Sequence, residues 1–169
     1  ITADRALLEE SAGLWEALGP AGKTGLAHAL ATLARAMWGL GDPAMARFLS
    51  SKAAVLCREQ DERWGLAYSL AILGLAIRDQ EDFALARTVL NESVALWRDL
   101  GDYWGLGLAI RILGAVARRQ GDYELAQRHY TECIAIARKL GNKELLASAL
   151  GDLGVVTLNL GDRVQAKAF

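Results

Sequence analysis

The stretch LGDYWGLGLAIRILGAVARRQGDYELAQ, residues 100–127, decides the fold because its pattern returns along the chain at a fixed interval. When Gly65–Trp104 is written above Gly105–Glu144, the two blocks align without a gap and share 15 identical residues. The same frame extends back to Gly25–Trp64 and forward to Leu145–Phe169. Self-similarity at a period of forty residues predicts a repeat protein whose neighbouring units bury a shared core.

Each block predicts two helices joined by a tight turn, in one block over roughly Asp61–Asp79 and Asp82–Leu100. Apolar residues of the first helix are spaced by three and four and share one face. They are Leu66, Leu70, Leu73, Gly74 and Ile77. The turn signals GLGDP, DQEDF, RQGDY and NLGDR follow, with glycine suited to a left-handed helix end and aspartate suited to an N-cap. Glu81 replaces that glycine, which predicts a turn that is slightly strained or differently wound. The predicted core of the second helix is Phe83, Ala86, Leu90, Val94 and Trp97.

Small residues recur at one position in each predicted helix. In the first helices they are Ala34, Gly74, Gly114 and Gly154, and in the second helices Ala46, Ala86, Ala126 and Ala166. Glycine inside a helix costs about 1 kcal/mol relative to alanine. Glycines kept in register therefore predict that the paired helices approach closely at that position.

Composition limits the classes of function. The chain of 169 residues has 19 basic and 20 acidic residues, so it lacks the basic excess typical of nucleic-acid binders. Cys57 and Cys133 lie far from each other and from any metal-ligand spacing, which predicts buried free thiols in a reducing, cytoplasmic compartment. His28 and His129 are isolated in sequence, and His129 is expected to be exposed. We predict no catalytic residue, metal, cofactor or membrane-spanning segment.

The forty-residue block resembles the tetratricopeptide repeat. The resemblance rests on Leu113-Gly114 in the first helix, Gly121-Asp122-Tyr123 at the turn and Ala126 after it. It implies an all-α solenoid of antiparallel helix pairs forming a right-handed superhelix, and a non-enzymatic scaffold that binds proteins or effectors. The longer, forty-residue variety is similar to sensor regions of bacterial signal-transduction ATPases and transcription activators. The chain is accordingly expected to be a sensor segment of a larger regulatory protein.

The repeat frame predicts a single solenoid fragment over residues 1–169. Residues 1–24 form the second helix of a preceding repeat plus a loop, because LLEESAGLWEALG matches VLNESVALWRDLG. Full repeats follow at residues 25–64, 65–104 and 105–144, and a truncated repeat at 145–169. Apolar faces left open at both ends predict self-association.

A competing motif lies in ALGPAGKTGL, residues 17–26, where Gly22-Lys23-Thr24 fits a relaxed phosphate-binding loop. Such a loop needs a buried strand before it and a helix after it. The repeat frame instead places PAGKT between two helices, so nucleotide binding is the weaker alternative. A helical-repeat reader of single-stranded nucleic acid is a further alternative, against which the near-neutral charge argues.

The resemblance places the first helices on the concave side of the superhelix. Helical spacing places five residues of each first helix opposite the core face. In successive repeats they are His28, Ala31, Arg35, Trp38 and Gly39; Tyr68, Ala71, Leu75, Arg78 and Asp79; Leu108, Arg111, Ala115, Arg118 and Arg119; and Ser148, Gly151, Val155, Leu158 and Asn159. The candidate binding residues are Arg35, Trp38, Tyr68, Arg78, Arg111, Arg118, Arg119 and Asn159.

These residues suggest a particular kind of partner. Guanidinium groups suit carboxylates, and the rings of Trp38 and Tyr68 suit flat anchors. We therefore expect an acidic or amphipathic peptide, a partner domain or a small anionic effector; the alternative is a solvated face whose arginines pair with nearby acids. The asparagine by which peptide-binding relatives hold a peptide backbone is missing beside the Leu-Gly pairs. Trp64 and Trp104, which open successive first helices, are expected to pack over the neighbouring helix.

Overall fold

The computed structural model describes the backbone of residues 2–166 and the side chains of residues 5–161. Within these ranges the chain is helical and contains no strand, which confirms the all-α prediction. The helices are α1 Thr2–Ala17, α2 Lys23–Gly39, α3 Pro43–Glu59, α4 Arg63–Asp79, α5 Phe83–Leu100, α6 Tyr103–Arg119, α7 Tyr123–Leu140 and α8 Lys143–Ala166, with a short 3-10 helix at Gly19–Gly22. The predicted helices Asp61–Asp79 and Asp82–Leu100 thus correspond to α4 and α5.

The helices group into two compact units. The first unit, Ile1–Leu100, contains α1 to α5, and the second, Gly101–Phe169, contains α6 to α8. In the first unit each helix packs against the next, and α2 also packs against α4. In the second unit α7 packs against both α6 and α8, and α6 contacts α8. First helices therefore contact other first helices as well as second helices, as in a stack of helix pairs.

Helices end at regular intervals because left-handed residues and N-caps recur together. Left-handed residues fall twenty apart at Gly41, Asp61, Glu81, Gly101, Gly121 and Gly141. The residue that follows caps the next helix, as when Asp122 accepts a hydrogen bond from the Leu125 amide at 3.0 Å. Glu81 has φ 65°, so the strained turn predicted there is confirmed, and Asp61 shares this geometry at φ 53°.

The turn predicted at Gly161 is not formed. Helix α8 continues through Gly161 to Ala166, and Gly161 lacks the positive φ seen at Gly41 and Gly121. At those two turns a second helix packs back on the first, whereas none packs on α8 within the described residues after Gly161. Without that packing the helix continues, because each added helical residue gains one backbone hydrogen bond. The small side chain predicted at Ala166 lies outside the described side chains.

Glycines in the first helices accommodate bulky side chains from the second helices. A Cβ at Gly74 would overlap Leu90, and one at Gly114 would lie 2.7 Å from Cε1 of Tyr130. Leu90 and Tyr130 are fully buried. The predicted close approach is therefore confirmed at these two positions. Gly154 occupies the same register in α8, yet nothing lies within 4 Å of its Cβ position, so its surroundings are open.

Small polar side chains of the second helices cap carbonyl groups of the first. Ser93 donates to the Ala67 carbonyl at 2.7 Å, and Cys133, forty residues further on, donates to the Gly107 carbonyl at 3.4 Å. Both cysteines are buried and free, as predicted. Burial, reinforced at Cys57 by Glu62, raises the pKa of each thiol to about 11. The thiols are therefore protonated near neutral pH and poorly nucleophilic.

The sequence around Lys23 does not form a phosphate-binding loop. A 3-10 helix precedes Lys23 in place of a strand, and the Lys23 ammonium pairs with Glu59 at 2.9 Å. Gly22 and Gly25 lie against Trp15, and a Cβ at either position would overlap it. These glycines serve the packing of α1 on α2, so the nucleotide-binding alternative is wrong at this site.

One helix departs from the expectation that no apolar segment is long enough to cross a membrane. Residues Lys143–Gly161 of α8 pass that test by length and composition alone, with a mean hydropathy of 1.2. A helix of a helical repeat can have the same composition, because it carries apolar faces for neighbouring helices. The inward residues Ala149 and Val156 are fully buried, while Leu158 is 73% exposed.

Candidate binding faces on the first helices

The first helices are covered on more sides than their sequence predicts. Ala31, Ala71, Leu75 and Ala115, expected opposite the core face, are all buried. The reason is that a first helix packs against second helices and also beside another first helix, as α2 does beside α4. The accessible face is consequently narrower than predicted and is lined by the longer aromatic and charged side chains.

Three rings form a stack on this face of the first unit. The rings of His28 and Trp64 lie 5.9 Å apart and 5° from parallel, and Trp64 stacks on Tyr68 at 5.6 Å. The buried Trp97 meets Trp64 edge-on at 5.4 Å from beneath. Trp64 thus packs over neighbouring helices as predicted, yet 39% of it stays exposed. We call His28, Trp64 and Tyr68 the ring stack.

One carboxylate holds the edge of the ring stack. Oε2 of Glu62 accepts a hydrogen bond from the Gly65 amide at 2.7 Å, capping α4, and lies 3.1 Å from Nε2 of His28. The Cys57 thiol points at the same oxygen from 3.8 Å. Glu62 was not among the predicted residues, and His28 was considered isolated. The sequence feature that could have identified Glu62 was its position at the N-cap of α4, where α4 starts beside α2.

The predicted residues Trp38 and Arg78 meet on one acid. The Trp38 indole donates to Asp79 at 2.7 Å, and Nε of Arg78 donates to the other oxygen of Asp79 at 2.8 Å. Arg35 is exposed on α2 near Tyr68, whose pKa is raised by burial against the effect of the Arg35 guanidinium. Arg78 is therefore neutralised within the face.

The predicted residues of the second unit differ in how they are held. Nη1 of Arg111 pairs with Asp152 across α6 and α8 at 3.2 Å. Arg118 is half-buried near Tyr130, whose pKa is raised by burial and by Asp152 against the influence of Arg118. Arg119 is exposed. Asn159 donates to the Val155 carbonyl of its own helix at 2.7 Å. The structure brings Arg111 to the wall of a groove, together with Leu108 and Ser148 of the rows predicted opposite the core face.

That groove lies between α6 and α8 and encloses about 150 Å³. Its lining residues are Trp104, Leu108, Arg111, Asn142, Glu144, Leu145 and Ser148. Trp104 is 45% exposed, so much of its indole surface faces solvent. We call this feature the α6–α8 groove. Sequence spacing did not single out Glu144 or Asn142, because both belong to the start of α8 rather than to its inner row.

His129 is half-buried rather than exposed as predicted, and burial lowers its pKa. Among the described residues, no three histidine, cysteine or acidic side chains come together to hold a metal ion.

Helix pairs repeating every forty residues, with aromatic and charged side chains on the accessible face of the first helices, define an all-α helical-repeat protein. A family model for the tetratricopeptide repeat matches residues 65–139 and 106–169. The chain belongs to the tetratricopeptide repeat family. Repeats of this family generally mediate protein–protein interaction and are generally non-enzymatic scaffolds. No curated protein matches the chain.

Proposed function

We propose that this chain is a protein-binding segment of a larger, cytoplasmic regulatory protein, in which it acts as the sensor. The observation that carries the proposal is the ring stack, whose central indole is 39% exposed although its neighbours fix it on three sides. Rigid, partly exposed aromatic side chains are the usual anchors of protein interfaces. Occupation of this face by a partner would bias the parent protein between resting and active forms.

The charges on the accessible faces of the two units favour a peptide that carries an acidic and an apolar residue over a small anionic effector. Arg78 and Arg111 are already paired with Asp79 and Asp152. A small anion that bound either arginine would have to displace the aspartate carboxylate already paired with it, and this reduces the free energy gained on binding. A polypeptide segment instead gains apolar contact with the ring stack and a further charged contact with Arg35. Because Arg78 and Arg111 are already paired with aspartates, they are less available to phosphate groups, and this argues against a nucleic-acid ligand.

Selection from a displayed random-peptide library tests this proposal. We expect the chain to select peptides that share an apolar residue, and titration calorimetry to show that Tyr68→Ala weakens the best of them at least about tenfold, the loss typical of an interface anchor. Arg35→Glu should reduce affinity less, because Arg35 is exposed.

Arg87→Glu is the matched control for Arg35→Glu, since Arg87 is an exposed arginine on the second helix α5. It should leave binding unchanged. Selected peptides that bind the Tyr68→Ala and Arg35→Glu variants as tightly as the original chain would show that the partner does not use this face.

Exposed apolar residues on α1 and on α8 support self-association of the chain. Leu7 and Leu14 on α1, and Leu18 directly after it, are 64%, 65% and 59% exposed and line one shallow groove. Leu150 and Leu158 on α8 are also exposed. We expect light scattering to show a mass that rises with concentration, and the double variant Leu14→Asp and Leu158→Asp to remain a monomer. A constant monomeric mass for the unmodified chain would contradict this prediction.

A further inference from the structure

The α6–α8 groove has a counterpart eighty residues earlier in the repeat frame, between α2 and α4. There the corresponding positions are filled by the ring stack: Glu144 and Ser148 of the groove correspond to Trp64 and Tyr68, and Leu108 corresponds to His28. Shorter or unstacked side chains in the second unit leave the volume of about 150 Å³ empty. The groove is therefore a ring-sized space that the first unit fills with its own side chains.

The first unit also shows which chemistry such a space holds. The planar, nitrogen-bearing ring of His28 lies flat on the Trp64 indole, and its Nε2 faces the Glu62 carboxylate at 3.1 Å. The groove of the second unit offers the same two kinds of group, an indole from Trp104 and a carboxylate from Glu144. At the register of the imidazole this unit has the aliphatic Leu108, which lines the groove but has no planar ring to stack on an indole.

The charges that line the groove favour a positively charged ligand group over a negatively charged one. Arg111 is neutralised by Asp152 at 3.2 Å. Among the described residues, no hydrogen-bond or ion-pair partner engages the carboxylate of Glu144, which also lies in the first turn of α8. The helix dipole offsets this charge only in part. A carboxylate without a side-chain partner beside an accessible indole suits a cation, because a ring face attracts positive charge.

We propose that the α6–α8 groove binds the guanidinium group of an arginine side chain presented by the partner protein. A guanidinium is planar, stacks on an indole and donates paired hydrogen bonds to a carboxylate, whereas an ammonium is a compact point charge that stays more strongly hydrated. The Ser148 hydroxyl lines the groove and can accept a remaining N–H group, as can the second lone pair of the Asn142 amide oxygen, which already caps α8 by accepting from the Leu145 amide at 3.0 Å. The inference rests on the proposed function and names one anchor of the partner.

Peptide titrations followed by NMR test the assignment on the whole chain. The probes are end-blocked Ser-Gly-Arg-Gly-Ser and the same peptide with lysine or the neutral isostere citrulline in place of arginine. The signal is the indole N–H of Trp104, assigned by its loss in Trp104→Phe. We expect a saturable shift with the arginine peptide at a dissociation constant on the order of millimolar. The citrulline peptide should bind about tenfold more weakly, and the lysine peptide should lie between them.

Glu144→Gln should weaken the arginine peptide about fivefold to tenfold. Glu124→Gln is the matched control, because Glu124 occupies the first turn of α7 and does not line the groove. It should bind the peptide as the original chain does. Equal binding of the arginine and citrulline peptides, no effect of Glu144→Gln, or no shift of the Trp104 signal up to about 10 mM peptide would overturn the inference.

The proposed function and this inference fail in different ways. If library-selected peptides depend on Tyr68 but not on Glu144, the chain binds proteins through its first unit and the assignment of an arginine site is wrong. If selected peptides depend on neither residue, the proposed binding face itself is wrong.

Discussion

Gly74→Ala is expected to lower the free energy of unfolding, although alanine is the better helix former by about 1 kcal/mol. The added Cβ would overlap Leu90, a fully buried side chain that cannot move into solvent. Overpacking of a core usually costs about 1–3 kcal/mol, which outweighs the gain in helix propensity. Denaturant unfolding followed by circular dichroism measures the change.

Gly154→Ala is the matched control, because Gly154 has the same register in α8 but nothing lies within 4 Å of its Cβ position. That variant should be more stable by about 1 kcal/mol. Leu90→Ala added to Gly74→Ala should remove most of the overlap, so the two changes should couple in a double-mutant cycle. Equal effects at Gly74 and Gly154 would show that nesting of the helices is not what requires glycine.

Trp97→Ala should have the largest effect on stability, with a loss of about 3–5 kcal/mol. Trp97 is completely buried and carries the edge contact that supports Trp64 from beneath. Its loss should therefore also loosen the ring stack, visible as a weaker near-ultraviolet circular dichroism signal per folded molecule. Unfolding by urea and the spectrum of the folded state report the two effects separately.

Trp104→Ala provides the comparison, since it also removes an indole but one that is 45% exposed. It should cost less than about 1 kcal/mol, as for most partly exposed positions. A similar loss for both variants would mean that burial does not distinguish the two indoles energetically. An unchanged near-ultraviolet signal in Trp97→Ala would mean that the ring stack stands without its support.

The repeat pattern was sufficient to predict local structure. The spacing of apolar residues placed α4 and α5 within one or two residues of their observed bounds, and the Gly-Asp signals located the turns at Gly41 and Gly121. Such features depend on neighbours within one or two helical turns, so sequence periodicity contains them. The prediction of a turn at Gly161 was wrong, because a turn requires a second helix packed against the first as well as a local sequence signal.

The helix pairs, their period and the close contacts at Gly74 and Gly114 follow from the sequence alone. Which side chains line the accessible faces depends on tertiary packing. His28 and Glu62 are 34 residues apart, and Arg111 and Asp152 are 41 apart. Helical spacing fixes the direction of a side chain within its own helix, but contact between helices depends on how their axes pack. Two of the predicted arginines, Arg78 and Arg111, therefore form ion pairs on the accessible faces, while Ala71 and Leu75 are part of the core.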